Sequence, residues 1–462
     1  MHAYFLDIFI DMLFYVLYYN IMLRRKANEK LLEWKSKESR KSLIISGARQ
    51  IGKTYIVRDF GKKNYSSFIE LNFLENPQYN GIFSENLSAS AIINGIRLYM
   101  PESEIIDGDT LLFLDEIQEC PNAITSLKFL SQHSGIDVIA TGSALGMVYN
   151  RVTSFPVGYV EYLDMYALDL REFLWSQGVD DVLIDTLNDN FINKKPVPDA
   201  IHKRMLALLT DYLVLGGMPE VINAFNRERD YRKADSVQRS IYRDYLADIA
   251  RFAEPSDKLK AESCYRSIPK QLGKENHKFQ YGAVEKKSTA RKYESSLDWL
   301  VSANMAYSVN NVSFVEYPLL SHEIQSNFRI YPSDIGLLIC TYDFSIKRAL
   351  LQDIMDDPAD NLIIKTAKGG IYEALVADIL IKNGHSKLYF YRNEPGTIEI
   401  EFFIENEDGV IPIEVKAGRK PGKSLSNVLK KADIRYGYKL ASQNVGISEK
   451  KITLPLYMAM FI

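Results

Sequence analysis

Short apolar runs recur through the first third of the chain and are separated by stretches with helical spacing. Strands are expected at residues 43–45, 68–72, 111–114, 138–140 and 159–163, with helices between most of them. Uninterrupted runs of this length suit strands buried on both faces, and alternating β and α elements imply a parallel sheet covered by helices. An approach helix and turn over residues 30–41 lead into the first strand. Past the sheet, residues 168–174 and 201–215 read as helices and Gly216-Gly217-Met218-Pro219 breaks the pattern, so a helical subdomain follows. Residues 240–252 place Tyr242, Tyr245, Leu246 and Ile249 at helical spacing, with Arg239 and Arg243 on a different face.

The pattern then changes twice. The stretch from Lys258 to Lys292 holds ten Lys or Arg and three Glu, a local net of +7, and contains three short helical candidates, the last over 288–303. Such a set suggests a winged-helix-like module that touches DNA phosphates, or equally a small helical domain with a solvated basic face. Beyond it, residues 328–331 read as a strand before Pro332-Ser333-Asp334-Ile335-Gly336, and residues 369–376 open an amphipathic helix. Three strands follow, at 387–391, 397–404 and 410–416.

A length of 462 residues implies two or three domains, and 47% apolar with 25% charged residues is the composition of a soluble globular protein. With a net charge of −3, nucleic-acid contact has to come from local patches; the second one runs from Lys416 to Arg435, with seven Lys or Arg and one Asp. Cys120, Cys264 and Cys340 lie far apart and form neither a metal spacing nor a disulfide framework, which fits a reducing cytoplasm. The six histidines form no zinc motif. Residues 1–21 are hydrophobic and precede Arg24-Arg25-Lys26, but Asp7, Asp11 and Asn20 interrupt them. A membrane anchor, a packed helix and a start assigned too early, with Met22 as the true first residue, all remain open, and no clear anchor is matched.

The chemistry is concentrated in a few motifs. Gly47-Ala48-Arg49-Gln50-Ile51-Gly52-Lys53-Thr54 spells the phosphate-binding loop G-x-x-x-x-G-K-[ST] between an expected strand and an expected helix. It calls for ATP with Mg²⁺: backbone N–H groups and Lys53 would reach the phosphates, and the Thr54 hydroxyl would reach the metal. The strand at 111–114 ends in Asp115-Glu116, where Asp115 is placed to hold Mg²⁺ and Glu116 to activate the attacking water. Thr141-Gly142-Ser143 follows another strand, with Ser143 either sensing the γ-phosphate or serving as an ordinary turn residue. A second candidate site lies near the C-terminus. Glu414 and Lys416 sit two apart on a strand and share a face, and with Glu401 opposite them and Glu373 on the preceding helix they form a set able to bind Mg²⁺ and assist phosphodiester hydrolysis.

Taken together, these residues resemble the prokaryotic AAA-type P-loop ATPases that carry a C-terminal domain of unknown function resembling PD-(D/E)xK nucleases. The resemblance runs from about Met22 to Ile462. Its markers are Gly47 to Thr54, residues 112–118, Thr141-Gly142-Ser143, Phe155-Pro156-Val157-Gly158, Gly216-Gly217-Met218-Pro219-Glu220, residues 331–337 and Ile411-Pro412-Ile413-Glu414-Val415-Lys416. It implies ATP binding at Gly52, Lys53 and Thr54, an acidic pair at Asp115 and Glu116, and a start close to the helix holding Leu31, Leu32 and Trp34. Two departures stand out: Gly158 is followed by Tyr159 where the family often has Gly-Arg, and Glu401 replaces the usual Asp of the nuclease-like domain. Arg151 or an arginine of a neighbouring subunit is a candidate substitute for the missing basic group.

The expected fold is therefore α/β. Residues 22–235 form a P-loop ATPase domain with a helical subdomain, 236–310 a basic winged-helix-like module and 311–462 a nuclease-like domain. The expected function is an ATPase acting as a nucleotide-driven switch in the cytoplasm. The rivals are a DNA-binding or DNA-cleaving effector whose assembly ATP controls, and a nucleotide-gated scaffold for a protein partner or a homo-oligomer.

Overall fold

The computed structural model describes residues 23–133, 135–142, 156–252, 257–274, 276–353, 367–416 and 423–462. The hydrophobic segment 1–21, Ser143 and Arg151 lie outside the described residues. Two compact units are present, one made of Arg25–Ala167 with Asp298–Met305, the other of Leu168–Leu297 with Ala306–Ile462.

The first unit opens with helix α1 (Lys26–Ser36) and is built on strands β1 (Ser42–Ser46), β2 (Ser67–Asn72), β3 (Thr110–Asp115), β4 (Asp137–Gly142) and β5 (Val160–Asp164). All five pair in parallel, in the order β2-β3-β4-β1-β5. Helices α2 (Lys53–Asn64), α3 (Ala89–Tyr99) and α4 (Pro121–Ser131) make the crossovers, and every residue of β3 is buried beneath such cover. Ile44, Leu112, Leu114 and Ala140 of the sheet pack with Ile92 and Ile96 of α3 and Ile124 and Leu127 of α4. Local chemistry starts the helices: Ser88 caps α3, and Pro121 stands in the first turn of α4, where a missing N–H costs nothing. Register aligns Ser46 with Gly142 and Asn72 with Asp115. The ends of β1, β2, β3 and β4 therefore share one edge, the place where open α/β sheets bind ligands.

The second unit begins with helices α5 (Leu170–Ser176), α6 (Asp181–Ile192), α7 (Asp199–Leu215), α8 (Pro219–Glu228), α9 (Tyr231–Phe252), α10 (Lys258–Leu272), α11 (Tyr281–Val284) and α12 (Ala290–Ser302), the last running into the 298–305 segment. Asp169 and Glu172 form a capping box at the start of α5. After these helices come β6 (Ala306–Val312), β7 (Glu323–Pro332), α13 (Ile335–Ile339), α14 (Phe344–Asp353), α15 (Lys368–Lys382), β8 (Tyr389–Arg392), β9 (Glu399–Asn406), β10 (Gly409–Val415), α16 (Ser424–Val428), β11 (Gly437–Ala441), β12 (Gly446–Ser448) and β13 (Lys451–Pro455). The strands form one mixed sheet, ordered β12-β13-β11-β10-β9-β8-β6-β7.

Three details differ from the sequence reading. Helix α9 starts at Tyr231 rather than at residue 240, so the boundary placed at 235 falls inside a continuous helix. The boundary at 310 falls inside β6, which pairs antiparallel with β7 and parallel with β8 and so carries the helical module into the C-terminal sheet. Helix α15 is not amphipathic, since every residue from Gly370 to Lys382 is buried. Its apolar residues cover the whole circumference, and its charged residues find partners inside the unit.

Candidate nucleotide site and a second acidic cluster

β1 ends at Ser46, and the phosphate-binding loop begins at Gly47 with φ +146°, where a Cβ would stand 2.1 Å from the Met165 carbonyl oxygen. Gln50 and Gly52 also take left-handed backbone conformations, at φ 60° and 94°, and they curl the loop so that α2 starts at Lys53. Buried Arg25 holds this loop from outside, donating to the Ile51 carbonyl at 2.8 Å and the Tyr166 carbonyl at 2.6 Å. Sequence reasoning missed Arg25; its only signal was the basic cluster ahead of α1. The ammonium of Lys53 turns back onto the carbonyls of Gly47 (2.8 Å) and Ala48 (2.6 Å). Burial brings its pKa down to about 8, against the opposing pull of Glu116 and Asp115.

Asp115 stands at the buried end of β3 and gathers neutral donors. The Thr54 hydroxyl lies 3.1 and 3.0 Å from its two oxygens, Asn72 Nδ2 donates at 3.0 Å, and the Thr141 hydroxyl donates to Oδ1. Burial raises the Asp115 pKa, and the hydrogen bonds from Thr141 and Thr54 work against that rise. A carboxylate and a hydroxyl in contact are an all-oxygen donor pair, which fits a hard cation such as Mg²⁺. Half-buried Glu116 follows at φ 52°, where the Gln118 carboxamide donates to its side chain. Asn72, placed only in the expected strand 68–72, and Gln118, named only as the end of the 112–118 marker, were given no role in the sequence reading.

The C-terminal set comes together in part. Antiparallel pairing of Phe402 with Ile413 sets Glu401 beside Glu414. Lys416 Nζ lies 3.6 Å from Glu401 Oε1 and 3.3 Å from Glu414 Oε1, and the Val415 N–H donates to Glu401 at 2.9 Å. Burial pushes the Glu401 carboxyl up to about 7 although Lys416 opposes it. Glu373 is engaged differently, accepting from Arg329 Nη1 at 2.8 Å, with His277 Nδ1 at 2.7 Å and the Tyr331 hydroxyl also in contact. Arg329 is fully buried over the Phe390 ring and also pairs with Glu399. Burial alone would raise the Glu373 carboxyl, but Arg329 and His277 outweigh it and hold the group down at about 2. Among the described residues, no three His, Cys, Asp or Glu side chains are grouped so as to hold a metal.

Residues 39–174 match the family model of an AAA domain. This stretch is AAA-type, and it holds the phosphate-binding loop and the Asp115-Glu116 end of β3. Two domains of unknown function also match, DUF8612 over 206–347 and DUF4143 over 368–457. A search of curated proteins returned no match. Among solved structures, a Walker-type ATPase of Pyrococcus abyssi aligns at 13% identity and TM-score 0.43, covering 70% of this chain and 96% of its own. The Aeropyrum pernix Orc1 protein in complex with DNA aligns at 14% and 0.31, covering 73% and 94%. Cdc6p of Pyrobaculum aerophilum aligns at 12% and 0.26, covering 73% and 97%. None of these similarities is close enough to bear on substrate or partner.

Outside the AAA domain, the basic stretches are only partly free. Lys286, Lys287 and Arg291 are exposed, whereas Lys292 pairs with Glu285 at 2.6 Å and Arg266 with Glu262 at 2.8 Å. In the run from Lys416 to Arg435, Lys431 donates to the Val315 carbonyl and Arg435 pairs with Asp408 at 2.7 Å, while residues 417–422 lie outside the described residues. Among the described residues no helix is long and apolar enough to cross a membrane.

Proposed function

We propose that this chain is a Mg²⁺-dependent ATPase of the cytoplasm whose nucleotide cycle acts as a switch. The observation that carries the reading is the meeting of Thr54 with both oxygens of Asp115, beside Lys53 and Glu116, on a single sheet edge. In this reading the loop N–H groups and Lys53 hold the β- and γ-phosphates, Thr54 and Asp115 would hold the metal, and Glu116 accepts a proton from the attacking water. Mg²⁺, when bound, would offset charge on the phosphate oxygens. Ser143 is retained as a γ-phosphate contact and awaits the same test by substitution. The expected results are that Lys53→Ala abolishes tight nucleotide binding and that Glu116→Gln keeps binding while losing steady-state turnover. Equal turnover by Glu116→Gln and the unaltered chain would refute the role given to Glu116.

The convergence of Glu401, Glu414 and Lys416, with exposed Lys286, Lys287 and Arg291, favours a second reading, a DNA-associated effector. The resident Arg329 on Glu373 weighs against cleavage, because that carboxylate already has its cation. Binding of labelled duplex that weakens with rising salt would support DNA association. Absence of any shift at low salt, together with turnover indifferent to DNA, would direct the search to protein partners or to self-assembly.

A further inference from the structure

We infer that Gln118 is a positioning residue for the hydrolytic step, holding the Glu116 carboxylate with its amide nitrogen. The inference rests on the ATPase reading and deepens it. Its first ground is the turn that follows β3. Glu116 takes a left-handed conformation, φ 52° and ψ 46°, which a residue with a side chain adopts at some cost. The chain then closes a 3-10 turn over Ile117–Glu119, with the Glu119 N–H on the Glu116 carbonyl and the Cys120 N–H on the Ile117 carbonyl, both at 3.0 Å. Ile117 and Cys120 are sunk in the core of the AAA domain and fix that turn in place. Gln118 is thereby brought back alongside Glu116, and Nε2 donates to Glu116 Oε2.

The second ground is an imbalance within the same carboxamide. Gln118 is only 9% exposed, and its Oε1 is buried with no hydrogen-bond partner among the described residues. A glutamine kept only to brace a turn would be expected to satisfy both of its ends, since buried polar groups are nearly always paired. Here the donor end is spent on the proposed base and the acceptor end is left over. Held in this way, the Glu116 carboxylate keeps its other oxygen for one proton of the attacking water, which leaves a lone pair of the water oxygen free for the phosphorus. As that lone pair forms the new O–P bond, the bond from the γ-phosphorus to the bridging oxygen breaks and ADP leaves with its electron pair. The water proton passes to Glu116, and Gln118 neither gains nor loses a proton.

The test uses the full chain, with Gln118→Ala, Gln118→Glu, Glu116→Gln and the double variant Glu116→Gln/Gln118→Ala. Steady-state ATP turnover is measured beside binding of a fluorescent ATP analogue. For Gln118→Ala, kcat is expected to fall about 10- to 100-fold, the range of a hydrogen bond to a charged group, with KM and analogue affinity within about threefold. In the Glu116→Gln background the same change is expected to cost less than about twofold, because Gln118 acts through Glu116. Gln118→Glu, which puts a second carboxylate in place of the donor, is expected to lose at least as much turnover as Gln118→Ala. Full additivity in the double variant, or analogue binding lost in step with kcat, would overturn the positioning role. Turnover that Gln118→Ala leaves unchanged sinks this inference alone. No Mg²⁺-dependent turnover in the unaltered chain sinks the ATPase reading and this inference with it.

Discussion

Replacing Lys382 by Met removes the ammonium that joins Asp334 and Asp378 in a buried ionic node, and the cost of that change can be worked from the contacts. Lys382 Nζ lies 2.9 Å from Asp378 Oδ1, 3.0 Å from Asp334 Oδ2 and 3.1 Å from the Tyr212 hydroxyl, and all three charged side chains are almost wholly excluded from solvent. Both acids are also pinned by donors that do not move with the lysine. Asp334 accepts from the N–H groups of Gly217 at 2.7 Å and Gly336 at 2.9 Å. Asp378 accepts from the Tyr212 hydroxyl at 2.6 Å and the Ile335 N–H at 3.1 Å. Neither carboxylate can turn out to water, so Lys382→Met, which keeps most of the volume, leaves two buried anions facing each other. Removing one partner of a buried ion pair costs about 3–5 kcal/mol. At about 2.1 cal/mol/K of unfolding entropy per residue, each kcal/mol moves the midpoint of a unit as large as Leu168–Leu297 with Ala306–Ile462 by about 1.7 °C, so thermal unfolding followed by circular dichroism should show a fall of about 5–8 °C. Adding Asp378→Asn should restore part of the loss, and the deficit should shrink as pH falls, because protonation removes an orphaned charge. A loss below about 1 kcal/mol that Asp378→Asn does not change would refute the reasoning.

Two further outcomes are expected. The Glu373 carboxyl is held at about 2 against an ordinary 4.5, a depressed folded value whose contribution is present above pH 4.5 and lost as pH falls towards 2. At 1.36 kcal/mol per pH unit this amounts to about 3 kcal/mol. Acid titration of stability should therefore be flatter in Glu373→Gln than in the unaltered chain, and identical slopes would contradict the Arg329 pairing. His277, whose pKa Glu373 raises despite opposing burial, contributes with the opposite sign: its stabilisation is complete below 6.5 and disappears as pH rises through the folded value. At the phosphate-binding loop, Gly47→Ala meets both a positive φ and a backbone oxygen 2.1 Å from the new Cβ, so the loop has to shift. It should lose more than about 1 kcal/mol of stability together with nucleotide affinity, read from thermal midpoints and analogue titration; unchanged values in both would show that the loop geometry is not required.

What was legible in the sequence is what is local in the chain. The five strands of the AAA domain announced themselves because each contains a short apolar run, and the phosphate-binding loop because the eight residues of its motif are consecutive. Glu401, Glu414 and Lys416 could be brought together from strand alternation and one assumed pairing. The order β2-β3-β4-β1-β5, which inserts β4 between the loop strand and the acidic strand, has no local signature. Nor do the partners that arrive from a distance: His277 and Arg329 reach Glu373 across 96 and 44 residues, and Arg25 reaches Ile51 across 26. Helix α15 misled for a related reason. An amphipathic helix was expected from residue 369, but Glu373, Asp378 and Lys382 are each satisfied inside the unit, which the spacing of polar and apolar residues cannot reveal.

The two acidic sites meet the cost of a buried carboxylate in opposite ways, and the difference bears on which can respond to a ligand. Asp115 is surrounded by hydroxyl and amide donors from Thr54, Thr141 and Asn72, which fill its lone pairs without cancelling its charge. The nearby ammonium of Lys53 is directed at the carbonyls of Gly47 and Ala48 instead. Burial consequently raises the Asp115 pKa, and a carboxylate in that condition gains strongly from an arriving cation. Glu373 already has Arg329, fully buried, stacked on Phe390 and shared with Glu399, so an arriving metal would have to compete with a resident guanidinium. Glu401 stands between the two cases. Lys416 is 3.6 Å away, yet burial dominates and pushes the Glu401 carboxyl up to about 7. Of the two sites it is therefore Asp115, bonded by neutral donors, that gains most from an arriving cation, and Glu373, already paired with Arg329, that gains least.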